Sequence, residues 1–148
     1  MTEIDFHFNV PDKLAYSCRL LRKAYASGAK IVVTGDVSSL EKLDHLLWTF
    51  SPTEFIPHCY AAADDLMDTT LASSPLVLAA SPKNSAHSGV LVNLGIAVPQ
   101  EFERFERFIE LVTQAEADRQ LARERWKYYA DRGYSIKRHN LAVAGESV

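Results

Sequence analysis

Residues 30–34, KIVVT, restrict the fold more than any other stretch of this chain. Ile31, Val32 and Val33 follow one another without a polar residue between them. That pattern marks a short strand covered on both faces, as in a parallel sheet with helices above and below. Upstream, Ile4, Phe6, Phe8 and Val10 alternate with Asp5, His7 and Asn9, the period of a half-buried strand with His7 expected on its polar face. Between the two strands, Pro11 and Asp12 open a helix that carries Leu14, Cys18, Leu21 and Tyr25 on one stripe, and Gly28 closes it. The chain therefore opens as a βαβ unit.

The same alternation continues. Residues 39–50 place Leu40, Leu43, Leu47 and Phe50 at core spacing and leave Trp48 off the stripe. After the Ser51-Pro52 break comes an extended apolar segment, Phe55-Ile56-Pro57-His58, in which Pro57 cannot donate to a central ladder. Residues 61–74 read as a loop and a short acidic helix, 76–80 as a buried strand, 83–89 (KNSAHSG) as a polar loop, and 90–94 as a further strand. Residues 99–112 read as an amphipathic helix with Phe102, Phe105, Ile109 and Val112 inward; Glu101, Glu103, Glu106, Glu110, Arg104 and Arg107 form its solvated side. The expected fold class is α/β: a single three-layer α/β/α domain, residues 1–140, around a mostly parallel sheet, with 141–148 as a C-terminal tail. A chain of 148 residues can bury such a core without disulfides or metals.

Several function classes lose ground on composition. A net charge of -3 and a pI near 5.9 argue against a general nucleic-acid binder, which carries a basic surplus, so contact with DNA is expected to be mainly indirect. Cys18 and Cys59 form no CxxC and suit a reducing, cytoplasmic setting. The N-terminus lacks the pattern of a signal peptide, and no run approaches ~20 apolar residues, so no membrane partner is expected. A βαβ opening invites a nucleotide, yet neither GxGxxG nor GxxxxGK[ST] occurs. Residues 34–39 (TGDVSS) can be read as an anion-holding loop or as the turn before a capped helix. His58 and Cys59 beside Asp64, Asp65 and Asp68 do not make a metal site, because adjacent strand residues point oppositely and no second His/Cys pair follows. His87 has no recognisable Ser/Asp arrangement. No catalytic residue, metal or cofactor is expected, and a nucleotide-binding α/β enzyme is kept as an alternative.

What stands out chemically is residues 119–134, RQLARERWKYYADRGY. At ~100° per residue, Arg119, Arg123 and Trp126 lie within about 60° of one another on a helix, with Lys127 beside them. Leu121, Tyr128 and Tyr129 are expected on the core side, and Gly133 ends the helix. One reading is a solvated cationic face. The other is a grip for an anion joined to an apolar group, since tryptophan beside arginines serves that purpose. Direct single-stranded-DNA binding through stacking on the same aromatics is a further alternative. Trp48 and Phe55 are similarly two-sided, either an edge of the core or an exposed aromatic patch for a protein partner.

Two blocks carry a family resemblance: QLARERWKYYADRGYSI, from residue 120, and LLWTFSPTEFIPH, from residue 46. Both resemble the chi subunit of the bacterial DNA polymerase III clamp-loader complex, in the right order and at about the right separation. The resemblance implies a fold similar to a nucleotide-hydrolase core without its P-loop. It also implies a non-catalytic accessory subunit that forms a heterodimer with the psi subunit through Trp48 and Phe55 and reaches the clamp loader through psi. A second implied partner is the acidic C-terminal tail of single-stranded-DNA-binding protein, ending in a Pro-Phe carboxylate. Val112, Arg119, Arg123, Trp126 and Lys127 match that site, Arg123 taking the terminal carboxylate, Trp126 and Val112 the ring, and Arg119 and Lys127 the upstream acids. The family position matched by Trp126 usually carries a tyrosine. Some chi proteins are also thought to bind a helicase-like protein that competes with psi.

Overall fold

A computed structural model describes residues 2–49, 58–61, 75–80 and 87–141. Seven strands among these form one sheet in the order β3-β4-β2-β5-β6-β1-β7. They are β1 (Glu3–Val10), β2 (Ile31–Thr34), β3 (His58–Ala61), β4 (Leu76–Ala79), β5 (Val90–Asn93), β6 (Arg107–Thr113) and β7 (Ile136–Asn140). Every ladder is parallel. Helices α1 (Lys13–Ala26) and α2 (Val37–Thr49) pack on one face and α3 (Glu116–Asp131) on the other. This is the expected α/β/α arrangement.

Local chemistry sets the boundaries. The Asp12 carboxylate accepts from the Ala15 amide to cap α1, and Gly28 ends it with φ 87°, a left-handed value that costs glycine little. Asp36 spends both oxygens on Ser39, one on its amide at 3.1 Å and one on its hydroxyl at 2.7 Å; residues 34–39 are thus the capped turn into α2. That turn lies against the one after β5, where a Cβ on Gly35 would come within 3.0 Å of the Leu94 Cβ.

The core has two parts, one on each face of the sheet. Tyr16, Cys18, Leu21, Leu40, Leu43 and Leu47 from α1 and α2 cover Ile31, Val33, Leu76, Leu78, Val92, Ile109 and Leu111. On the opposite face, Ile4, Phe6, Val32, Leu91, Phe108 and Val112 meet Phe102, Phe105, Ala122 and Tyr129. Burial of each of the Val, Leu, Ile and Phe side chains among them contributes roughly 1.5–3 kcal/mol.

Two expectations need correction, and one strand was not expected at all. Residues 99–112 are not a helix: a single 3-10 turn, Phe102–Arg104, leads into β6, which is flanked by β5 and β1. Phe102, Phe105, Ile109 and Val112 do fall at helical spacing, but the run Phe108-Ile109-Glu110-Leu111-Val112 has apolar residues for both faces of a central strand. The interruption, Glu110, is not solvated; it is fully buried against Arg125. Secondly, His7 is buried, because β1 lies inside the sheet between β6 and β7 and α1 covers its second face; His7 shares a hydrogen bond with the Tyr16 hydroxyl. The polar sequence Ile136-Lys137-Arg138-His139-Asn140, unassigned from the pattern, is the edge strand β7.

Candidate functional site

Four elements meet around an open groove of about 380 Å³. From β1 come Phe6 and Phe8, with Asn9 where the ladder to β6 skips register. Val112 comes from β6, Arg119, Ala122, Arg123 and Trp126 from α3, and Arg138 from β7. The helix contributes positions i, i+3, i+4 and i+7, one continuous stripe. Residues Val112, Arg119, Arg123 and Trp126, singled out from sequence, are therefore brought together. Lys127 is exposed on the same helix but outside the lining.

Trp126 is half-buried, not exposed as its spacing suggested. Its ring meets the Phe6 ring edge-on, centroids 5.3 Å apart at 67°, and the Arg138 guanidinium carbon lies 4.9 Å from its centroid. The stripe buried by α3 is Ala122, Arg125 and Tyr129. Tyr129 sits in the core as expected, whereas Leu121 is only partly covered and Tyr128 is exposed. At its C-terminal end Gly133 adopts φ 82°.

The helix is held by a buried ionic cluster that the sequence pattern did not reveal. Arg125 Nε donates to Glu110 at 3.0 Å, the Tyr129 hydroxyl donates to the same carboxylate at 2.6 Å, and Asn93 donates to its other oxygen at 3.0 Å. Arg125 also donates to the Ile96 carbonyl at 3.0 Å. Burial pushes the Glu110 carboxyl upward, while Arg125 and the two neutral donors pull it back. A guanidinium four residues from a buried tyrosine on one helix was the available signal, but an arginine is usually assigned to solvent. At the other end Asp118 accepts from the Thr113 amide at 2.8 Å and pairs with Lys13 at 3.4 Å, which keeps its carboxyl below the usual range.

Groove electrostatics are cationic. Arg119 and Arg123 both reach Glu116, at 3.9 and 3.5 Å, exposed contacts worth little individually. One carboxylate thus serves two guanidinium groups, and Arg138 adds a third. Apolar walls with charged groups at the rim suit a ligand with a hydrophobic side chain and carboxylates.

Trp48 is 55% exposed on α2, on the face of the sheet opposite the groove. Phe55 lies outside the described residues. Among the described residues no group of three potential ligands could hold a metal, and no helix is long and apolar enough to cross a membrane.

The family described as DNA polymerase III chi subunit, HolC, matches residues 1–137. A DNA polymerase III subunit chi from Pseudomonas aeruginosa is 32% identical over 147 residues, spanning 95% of this chain and 98% of the relative. Chi subunits from Haemophilus influenzae and Escherichia coli are 27% and 24% identical, over 84% and 80% of this chain and 85% and 79% of their own lengths. The chain belongs to the DNA polymerase III chi subunit family, with an accessory role in DNA replication.

Proposed function

We propose that the groove receives the acidic C-terminal tail of single-stranded-DNA-binding protein, and that the chain links the clamp loader to coated template without chemistry of its own. The observation that supports this is the meeting of Phe6, Phe8, Val112 and Trp126 with Arg119 and Arg123 in one cavity. Arg123 takes the terminal carboxylate, because a guanidinium can bind it bidentately. The terminal ring enters between Val112 and Trp126. Arg119 and, from outside the lining, Lys127 draw the upstream acids. The separate face of α2 bearing Trp48, with Phe55, joins a psi subunit, and through it the clamp loader; a competing helicase-like partner would use that same face.

Calorimetry with the tail peptide tests the groove. Arg123→Ala is expected to cost roughly 1–3 kcal/mol, about ten-fold or more in affinity. Binding to the unaltered chain weakens as salt rises, and a peptide lacking the terminal Phe binds poorly. Unchanged binding to folded Arg123→Ala and Trp126→Ala variants would remove the site.

A further inference from the structure

We propose that Arg138 is a specificity-determining residue of the groove, the cation that reads a side-chain carboxylate just upstream of the ligand's terminal Pro-Phe pair. The inference rests on the reading of the groove as a receptor for a carboxyl-terminated acidic peptide, and adds to it a second recognition point on a different element.

Three observations place Arg138 there. In the β1–β7 ladder it is the partner of Phe6, and laterally paired residues share a face, so it stands on the groove side with Phe6. It lines the groove, with its guanidinium over the Trp126 ring. A guanidinium at that distance gives its charge to the ring, and its N–H donors remain available to a planar carboxylate. Finally, Arg119 and Arg123 share Glu116, whereas among the described residues no carboxylate comes within ion-pair distance of Arg138.

Neighbouring geometry fixes the position. Two residues on, Asn140 accepts from the Asn9 side-chain amide at 2.7 Å, tying the end of β7 to the register skip of β1. Asn9 itself has φ 60°, a conformation that asparagine tolerates better than most residues. A 380 Å³ space treated as a sphere is on the order of 9 Å across, the span of about two to three extended residues. Arg123 and Arg138 can therefore engage two carboxylates that close together in one peptide: the terminal one and an acidic side chain shortly before it.

The test is a cycle with three synthetic peptides: an acidic peptide ending in Pro-Phe, its analogue with the upstream aspartates changed to asparagine, and its analogue with an amidated C-terminus. For the unaltered chain, the asparagine analogue should bind roughly five- to ten-fold more weakly. Arg138→Gln should bind the parent peptide more weakly than the unaltered chain does and lose most of the discrimination between the two, the remainder resting on Arg119 and Lys127, yet still reject the amidated peptide. Lys23→Gln, which removes the same charge from α1 across the sheet, should leave the discrimination intact. Full discrimination between aspartate and asparagine by Arg138→Gln, with rejection of the amide retained, overturns this inference and leaves the groove reading standing. Equal loss in Lys23→Gln reduces the effect to net charge and also overturns it. No binding of the parent peptide by the unaltered chain overturns both readings.

Discussion

His7 shows how a single residue couples packing to pH. Burial, with the His139 charge second, holds its pKa down to about 4 from an ordinary 6.5; Asp5 acts in the opposite direction and Arg107 with the burial. The folded chain thus keeps His7 neutral where the unfolded chain would protonate it. Unfolding takes up a proton between about pH 4 and 6.5, so this contribution is complete above 6.5 and is lost as pH falls through that window. Over the whole window the loss is on the order of 3 kcal/mol. Asp5, whose carboxyl is lowered by Arg107 and His139 against its burial, adds a loss of the same sign at more acidic pH. Urea midpoints measured at pH 7 and pH 5 should fall for the unaltered chain and fall less for His7→Gln; equal slopes for the two proteins would count against the assignment.

At the level of elements, β6 and α3 stand or fall together through Glu110 and Arg125, which are 0% and 2% exposed. Removing one partner strands a buried charge, so Arg125→Ala is expected to cost roughly 3–5 kcal/mol. Replacing both, as in Glu110→Leu with Arg125→Met, should recover much of that. Denaturation of the two single variants and the double variant measures the coupling, and additive losses would contradict it. The same pair explains what could be read in the sequence. The β1-α1-β2 opening and α2 were legible because their apolar periodicities are clean and their ends carry Asp12, Asp36 or Gly28; α3 was legible as a helix ended by Gly133, but its buried stripe was not, because Ala122 and Arg125 take the inward places expected for Leu121 and Tyr128. β6 was not, since a glutamate in an apolar run reads as solvated unless its partner is known, and Arg125 joins it only through the tertiary fold. β7 was hidden because an edge strand with Lys137, Arg138 and His139 has little apolar pattern. Arg119, Arg123 and Trp126 could be grouped from helix geometry alone, while Phe6, Phe8 and Arg138 needed the sheet order to bring them alongside.

Across the whole molecule, the sheet separates two surfaces. Trp48 is carried on the α1/α2 face, whereas the groove is formed on the α3 face. If both proposed partners bind as assigned, the two surfaces do not overlap, and a substitution at one should leave the other nearly unchanged, as expected for distant independent sites. Trp48→Ala should weaken co-purification with psi by ~2 kcal/mol or more and leave the tail-peptide affinity within error; a parallel loss of both would contradict two separate surfaces. The peptide's place in the groove can be observed directly. The direct measurement is an NMR titration of the isotope-labelled chain with an acidic peptide ending in Pro-Phe, following backbone amides and the Trp126 indole. Shifts concentrated on β1, on β7 and on the Arg119, Ala122, Arg123 and Trp126 stripe, with the Trp48 indole unmoved, are the predicted result. Shifts centred on α2, or none at the Trp126 indole at saturation, would contradict it.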